Sequence, residues 1–341
     1  MNKAVKSEVL HEKPLVTFAL FAYNQEEYIR EAVEGALAQD YSPLEVIISD
    51  DCSTDQTFNI IQHLVGCYKG PHRVIARQTK KNIGTLLHVV DVAKRANGKL
   101  FVLGAGDDVS KVNRVTVIQS AWRKTGAWGL SSNFDKIDET GFILEREVKP
   151  AVIESHNFGK YFFSIDGPVY VVHGGTSAYD LKVFEYIELN DDDYILSEDG
   201  AISVLLNLIG RDIYHIDRSL VKYRESSNSL TNSSRTRTRS YSDIVRDEHN
   251  IERFARSQAN RCKLFIRMDE WLGTSKVRSI NINGVMTELF LQQNISYWYE
   301  ISIFSRILAI LRNRVTLSWA FPRILGKKPL YFTKWLAGYF K

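Results

Sequence analysis

Three short stretches of the 341-residue chain set two carboxylates side by side where an apolar run meets a loop or helix. The first is Leu100-Phe-Val-Leu-Gly-Ala-Gly-Asp-Asp-Val109, in which Gly104 and Gly106 lead into the pair Asp107-Asp108. The second is Leu44-Glu-Val-Ile-Ile-Ser49, which runs straight into Asp50-Asp51. The third is Glu198-Asp199, which follows Ser197 at the head of an apolar helical stretch. Paired carboxylates on a loop suit a hard divalent cation, Mn²⁺ or Mg²⁺, which takes oxygen ligands and is commonly shared with phosphate oxygens. Asp107 and Asp108 are therefore the candidate metal ligands. The same residue types have plainer uses. One carboxylate of Asp50-Asp51 can cap a helix, Glu198-Asp199 complements a helix dipole, and Asp191-Asp-Asp193 reads as a solvated loop.

The elements that must carry these acids follow from hydropathy. Val16 to Phe21 reads as a buried strand, and Asn24 with Glu27 three residues on predicts a capped helix whose apolar face is Ile29, Val33, Ala36 and Leu37. A strand over 44–49 follows, then a helix opened by Ser53 and Gln56, with Phe58, Ile61, Leu64 and Val65 inward. A strand near 73–76, a helix over about 85–96 and the strand at Leu100 complete a β-α-β-α-β-α-β series. Such alternation implies a mostly parallel sheet with helices on both faces. Asp50-Asp51 and Asp107-Asp108 then end two strands on one edge, where ligands gather in open α/β sheets. Further on, the pattern predicts a helix over 112–125, a strand over 128–134, a strand over 169–172 leading into His173-Gly174-Gly175, a helix that includes Phe184 and an edge strand over 212–216. Residues 135–165 fit no single element. Helical stretches over 242–267 and 280–293 carry no recognisable chemistry.

Taken together, Pro14-Leu-Val-Thr-Phe-Ala-Leu-Phe-Ala-Tyr-Asn24, Ala38-Gln-Asp-Tyr41, Glu45-Val-Ile-Ile-Ser-Asp-Asp-Cys-Ser-Thr-Asp55 and Asn82-Ile-Gly84 resemble the N-terminal half of the family 2 inverting glycosyltransferases. The resemblance implies a GT-A fold, an α/β domain that binds a nucleotide-sugar, over residues 14–231. It implies that Tyr23 borders the base, that Asp51 accepts from the base N–H and that Asn82 belongs to the donor-binding set. Gly106-Asp-Asp108 takes the place of the family's DXD-type motif, with Ala105 where its first acid stands. Asp107 then matches the metal-binding acid, and Asp108 is a second ligand or a brace for the loop. Gly174 and Gly175 either let backbone approach a sugar or make a tight turn. Glu198-Asp199 matches the family's acid pair, whose second member, here Asp199, is the catalytic base. Val221 to Thr231 resembles a Tyr-Arg-x-His-x-x-Ser segment in which Ser226 replaces the histidine, leaving Arg224 and Ser229 as phosphate partners. The serine-rich run to Ser240, with Arg235, Arg237 and Arg239, reads as a lid or as a linker.

The composition, 44% hydrophobic and 25% charged, is that of a folded protein with a substantial core. Cys52, Cys67 and Cys262 form no CxxC pair, which argues against a zinc site or disulfide framework and for a reducing cytosol. The polar start of the chain is unlike a signal peptide. Glu300 is the last acid, and the basic residues from Arg306 to Lys341 are interleaved with Trp319, Phe321, Tyr331, Phe332, Trp335, Tyr339 and Phe340. That mixture suits a segment lying on an anionic membrane leaflet, a packed helical appendage being the alternative, and no nucleic-acid motif accompanies it. The expected organisation is an N-terminal tail over 1–13, the GT-A domain over 14–231, a linker or lid over 232–241 and a helical region over 242–341. The expected activity is metal-dependent inverting transfer from a nucleotide diphosphate sugar, the UDP form, to a lipid-linked saccharide at the cytoplasmic face, in bacterial surface-polysaccharide assembly. A non-catalytic nucleotide- or glycan-binding scaffold is the competing class.

Overall fold

The structure is a computed structural model that describes residues 13–150, 170–225, 241–300, 302–311, 320 and 323. Its first half follows the predicted alternation: β1 (Val16–Ala22), α1 (Ile29–Leu37), β2 (Leu44–Asp50), α2 (Thr57–Cys67), β3 (Arg73–Gln78), α3 (Thr85–Ala93) and β4 (Leu100–Ala105). β1 lies between β2 and β4 with β3 outside β2, every pairing parallel, and Ala22 is level with Asp50 while Phe21 is level with Ala105. That register is what puts the two acidic pairs on one edge.

Past β4 the sheet becomes mixed. β5 (Val109–Ser110), α4 (Arg114–Thr125), β6 (Gly129–Ile137), β7 (Ile143–Val148), β8 (Ala178–Asp180), α5 (Glu198–Leu208) and β9 (Ile213–Arg224) complete it in the order β3-β2-β1-β4-β8-β6-β9-β5, with β7 on β6. β8 is antiparallel to both β4 and β6, whereas β9 runs parallel to β6. Among the described residues three α-helices follow: α6 (Tyr241–Leu272), α7 (Ile282–Ser296) and α8 (Ile303–Leu311).

The core has two layers, one on each face of the sheet. Along β1 the side chains alternate: Val16, Phe18, Leu20 and Ala22 pack with α1, α2 and α4, while Ala19 packs on the opposite face with α3 and α5. That second layer also takes in Ala259, Cys262, Leu264, Phe265 and Met268 of α6 and Val285 and Leu289 of α7. Hence α6 and α7 share one core with the sheet, while Ala309 of α8 packs in a separate cluster with Trp298 and Ala320.

Several local expectations are corrected. Asn24 does not cap α1, which begins at Ile29 after Tyr28; its backbone is left-handed, φ 50°, and its carboxamide oxygen accepts from Thr54 N at 2.8 Å, tying the β1 loop to the β2 loop. Asn tolerates that backbone better than most residues. Residues 170–172 form no strand beyond a bridge at Tyr170, and the segment holding Phe184 is a 3₁₀ helix, Leu181–Tyr186. The 212–216 segment is the beginning of a longer strand, β9, which continues to Arg224.

Candidate active site

Asp50 and Asp51 leave β2 with different tasks. Asp50 accepts from Ser53 N at 2.8 Å and Gln78 Nε2 at 2.9 Å, closing the turn before α2. Asp51 faces the loop before α3. Its carboxylate accepts from Thr79 Oγ1 at 3.0 Å, Ile83 N at 3.0 Å and Gly84 N at 3.1 Å. Asp51 thus shapes the Asn82-Ile-Gly84 segment, and both of its oxygens already have protein donors. Tyr23, at the end of β1, is 42% exposed on the same edge.

β4 delivers Asp107 and Asp108 to that edge, and the loop is braced from three sides. Arg224 donates from its backbone N to Asp108 Oδ1 at 2.9 Å and from Nε to the Asp107 carbonyl at 2.9 Å. Its remaining donors go to the carbonyls of Asp138 and Glu139 and to Glu31 Oε2, and the side chain is buried. Arg224, expected to meet phosphate, therefore points into protein acceptors. Below the loop the fully buried Arg114 donates to the Leu103 carbonyl and to Ser110 Oγ, with its positive charge turned toward Asp108. Gln25 hydrogen bonds Asp107 from the β1 side and occupies the space that a Cβ on Gly106 would need. The braces from Arg224 and Gln25 act across long separations in the chain, whereas Arg114 reaches back only four positions to Ser110 and eleven to Leu103.

The third acid pair opens α5. Ser197 is its N-cap as expected, yet the hydroxyl donates to Asp199 Oδ1 rather than accepting from the helix backbone. Asp199 also accepts from Gly200 N at 2.7 Å and, through Oδ2, from Gly174 N at 3.2 Å. A Cβ on Gly174 would sit 3.0 Å from Glu198 Oε1 and 3.2 Å from Asp199 Oδ2. One on Gly175 would sit 3.2 Å from Asp108 Oδ2. Adjacent Cα atoms are about 3.8 Å apart. The two-glycine turn is therefore the seam along which the β4 acids and the α5 acids meet, and only glycine leaves room for both.

Charge accumulates along this seam. Burial, with the charge of Asp199 added, pushes the Glu198 carboxyl up to about 8. Burial and the neighbouring Asp107 push Asp108 well above the usual carboxylate range, and burial raises Asp107. His173, stacked on Phe134 at 5.3 Å, is lowered by burial against the opposing pull of Asp199. Two adjacent buried carboxylates fit a cation. Among the described residues no group of three or more His, Cys, Asp or Glu converges on such an ion. The Asp107-Asp108 pair offers oxygen donors of the kind that Mg²⁺ and Mn²⁺ take.

The loop before α5 is not solvated throughout. Asp191 and Asp192 are exposed, but Asp193 is buried, accepts from Asn190 N at 2.8 Å and pairs with Arg267 of α6. Asn260 donates to the Asp192 carbonyl and Ser257 Oγ accepts from Leu196 N at 2.9 Å. Arg261 lies against Gly200, with Asp199 among the charges that act on it. Thus α6, which had shown no chemistry as a sequence, grips the segment that presents Asp199. Ser226, Ser229 and the 232–240 lid or linker lie outside the described residues, as does most of the basic aromatic tail.

Comparison with known proteins agrees with this architecture. The family model for glycosyl transferase family 2 matches residues 17–188, and the chain belongs to that family. The fold is of the GT-A type: the chain resembles Staphylococcus aureus TarS 1–349, solved in complex with UDP-GlcNAc, with a TM-score of 0.51 at 16% identity over 83% of this chain and 73% of that one. Among curated proteins, an uncharacterised Mycobacterium tuberculosis protein is 49% identical over 88 residues, 26% of this chain and 25% of its own length. The succinoglycan biosynthesis protein ExoO of Rhizobium meliloti is 32% identical over 165 residues, 43% of this chain and 46% of its own. The teichuronic acid biosynthesis glycosyltransferase TuaG of Bacillus subtilis is 32% identical over 103 residues, 30% of this chain and 40% of its own. The chain thus spans less than half the length of these relatives.

Proposed function

We propose that this protein is an inverting glycosyltransferase that moves a sugar from a nucleoside diphosphate donor, UDP-sugar by preference, to a saccharide hydroxyl. The observation that carries the reading is the glycine seam, where Glu198 and Asp199 lie against Gly174 and Asp108 lies against the adjacent Gly175. The acceptor oxygen bonds to the anomeric carbon while its proton passes to Asp199 and the bond from that carbon to the diphosphate oxygen breaks on the opposite face. One displacement of this kind inverts the carbon. A carboxylate of ordinary basicity cannot take the proton from a free alcohol beforehand, so transfer accompanies bond formation. Burial and the neighbouring charge of Asp199 keep the proton on Glu198 near neutrality. Asp107, with Asp108 beside it, would hold a Mn²⁺ or Mg²⁺ ion, whose positive charge would suit the departing diphosphate. Arg224 and Arg114 keep that loop in place.

The names of ExoO and TuaG favour a surface-polysaccharide acceptor, and a lipid-linked one agrees with the basic aromatic tail. Among the described residues no helix is long and apolar enough to cross a membrane. Contact with the bilayer would then be peripheral, on the cytoplasmic leaflet. The test is Asp199→Asn. It should bind UDP as the wild type does and lose at least 100-fold in transfer; transfer at the wild-type rate by a folded variant removes Asp199 from the role of base.

A further inference from the structure

The last described helix, α8, is turned the opposite way to a helix on a water-exposed surface. Its sequence, Ile303-Phe-Ser-Arg-Ile-Leu-Ala-Ile-Leu311, has a single charged residue, Arg306, which in water should face outward while the aliphatic residues pack inward. Instead Arg306 is buried: Nε donates to the Trp298 carbonyl at 2.8 Å and Nη2 to the Tyr299 carbonyl at 3.1 Å, just beyond α7. Outside are Ile303, 51% exposed, Phe304, 70%, Ile307, 41%, and Leu311, 72%. At the angular step of an α-helix these four share an arc of roughly 100°, a continuous apolar stripe along the helix.

The opposite side of α8 is the one that the protein covers. Ala309 packs with Trp298 and Ala320, Ile310 lies against the same cluster, and Trp298 Nε1 donates to the Arg323 carbonyl at 3.1 Å. At the two positions described beyond α8, 320 and 323, the chain therefore returns to the buried side and not to the stripe. The stripe also belongs to a stretch of one charge sign. Glu300 is the last acid, and Arg312 and Arg314 directly follow the helix, with Arg323, Lys327, Lys328, Lys334 and Lys341 beyond them. Contiguous exposed apolar side chains mark an interaction surface, and cations beside them fit a partner that is apolar within and anionic at its surface. A nine-residue helix is about 14 Å long, too short to cross a bilayer, so it fits such a partner by lying in its plane.

We infer that α8 is an in-plane membrane anchor: Ile303, Phe304, Ile307 and Leu311 enter the acyl boundary of an anionic lipid leaflet, while the inward bonds of Arg306 fix the helix to the rest of the protein. With its arginine turned inward, the helix carries no cation into the lipid, where one would be costly. The inference rests on the peripheral contact proposed above and gives it a place in the fold; it requires neither donor nor metal.

The test is flotation of the full chain, without nucleotide, on vesicles of phosphatidylglycerol with phosphatidylcholine and on vesicles of phosphatidylcholine alone. The double substitution Phe304→Ser with Ile307→Ser removes apolar surface and no charge, so it separates insertion of α8 from adsorption of a basic tail. Binding to the anionic vesicles should weaken roughly 10- to 100-fold. Phe142→Ser, which removes a similarly exposed ring from the turn between β6 and β7, should bind as the wild type does. Wild type on anionic vesicles should stay partly bound in high salt, which screens surface charge. Wild type that binds no vesicle, undiminished binding by a double variant that melts like wild type, an equal loss in Phe142→Ser, or complete release by salt overturns the inference. A dimer in solution that the double substitution splits gives the stripe to a second copy of the chain and overturns it too. Failure to bind any nucleotide overturns the transferase reading alone.

Discussion

Gly174→Ala is the perturbation that most sharply separates a catalytic seam from an ordinary turn. The backbone of Gly174 is not among the left-handed residues, so alanine is conformationally acceptable there. What changes is space. The new methyl group would stand 3.0 Å from Glu198 Oε1 and 3.2 Å from Asp199 Oδ2, closer than relaxed carbon–oxygen contact. The acids must therefore retreat by a few tenths of an ångström, and the 3.2 Å bond from Gly174 N to Asp199 is lost or lengthened. Stability should fall by only about 1 kcal/mol, the net worth of one hydrogen bond. Turnover should fall ~10- to 100-fold, because small misplacements of a positioned group cost rate steeply. UDP affinity should change little, since the methyl group faces the α5 acids. Steady-state transfer kinetics with a calorimetric UDP titration and a thermal melt separate these quantities. Gly66→Ala is the control: nothing lies within 4 Å of its Cβ position in α2, so it should stabilise the fold by about 0.5 kcal/mol without touching rate. Gly174→Ala with wild-type turnover would refute the seam as the site of chemistry.

Asp107→Ala should abolish the Mn²⁺-dependent part of UDP binding, read by titrating with and without a chelator; metal-dependent binding that survives would remove Asp107 as ligand. Glu198 yields a pH prediction. With its carboxyl raised from 4.5 to about 8, the native state keeps a proton that the unfolded chain releases, so its contribution to stability is full below about 4.5 and declines as pH rises toward 8, by up to about 1.4 kcal/mol per pH unit. Urea melts of Glu198→Gln between pH 5 and 8 should lose that part of the slope, and parallel wild-type and variant curves would contradict the assignment. Arg267→Met leaves Asp193 buried without its cation and should cost about 1–2 kcal/mol, tempered by the partial exposure of the arginine.

What the sequence could reveal was what lies in continuous stretches. β1, β2 and β4 are parallel strands buried on both faces, so they read as unbroken apolar runs, and their acids fall next to them in the chain. Glu198-Asp199 was legible for the same reason, as a pair at a helix start. The braces were not. Arg224 reaches Asp108 across 116 positions from the end of a strand whose pairing with β6 is irregular, and Arg267 reaches Asp193 across 74. Asn24 misled because the residue type that caps helices also tolerates a left-handed turn. Asp191-Asp-Asp193 suggested solvent throughout, whereas Asp193 is buried and paired with Arg267 of α6.

The most direct measurement is titration of the purified protein with UDP, GDP and dTDP, each with Mn²⁺ and with a chelator, followed by assay of the preferred nucleotide's sugars for slow hydrolysis. The account predicts Mn²⁺-dependent binding of UDP and detectable turnover of a UDP-sugar that Asp199→Asn lacks. Absence of binding to any of the three nucleotides would contradict it and favour a scaffold built on the same fold.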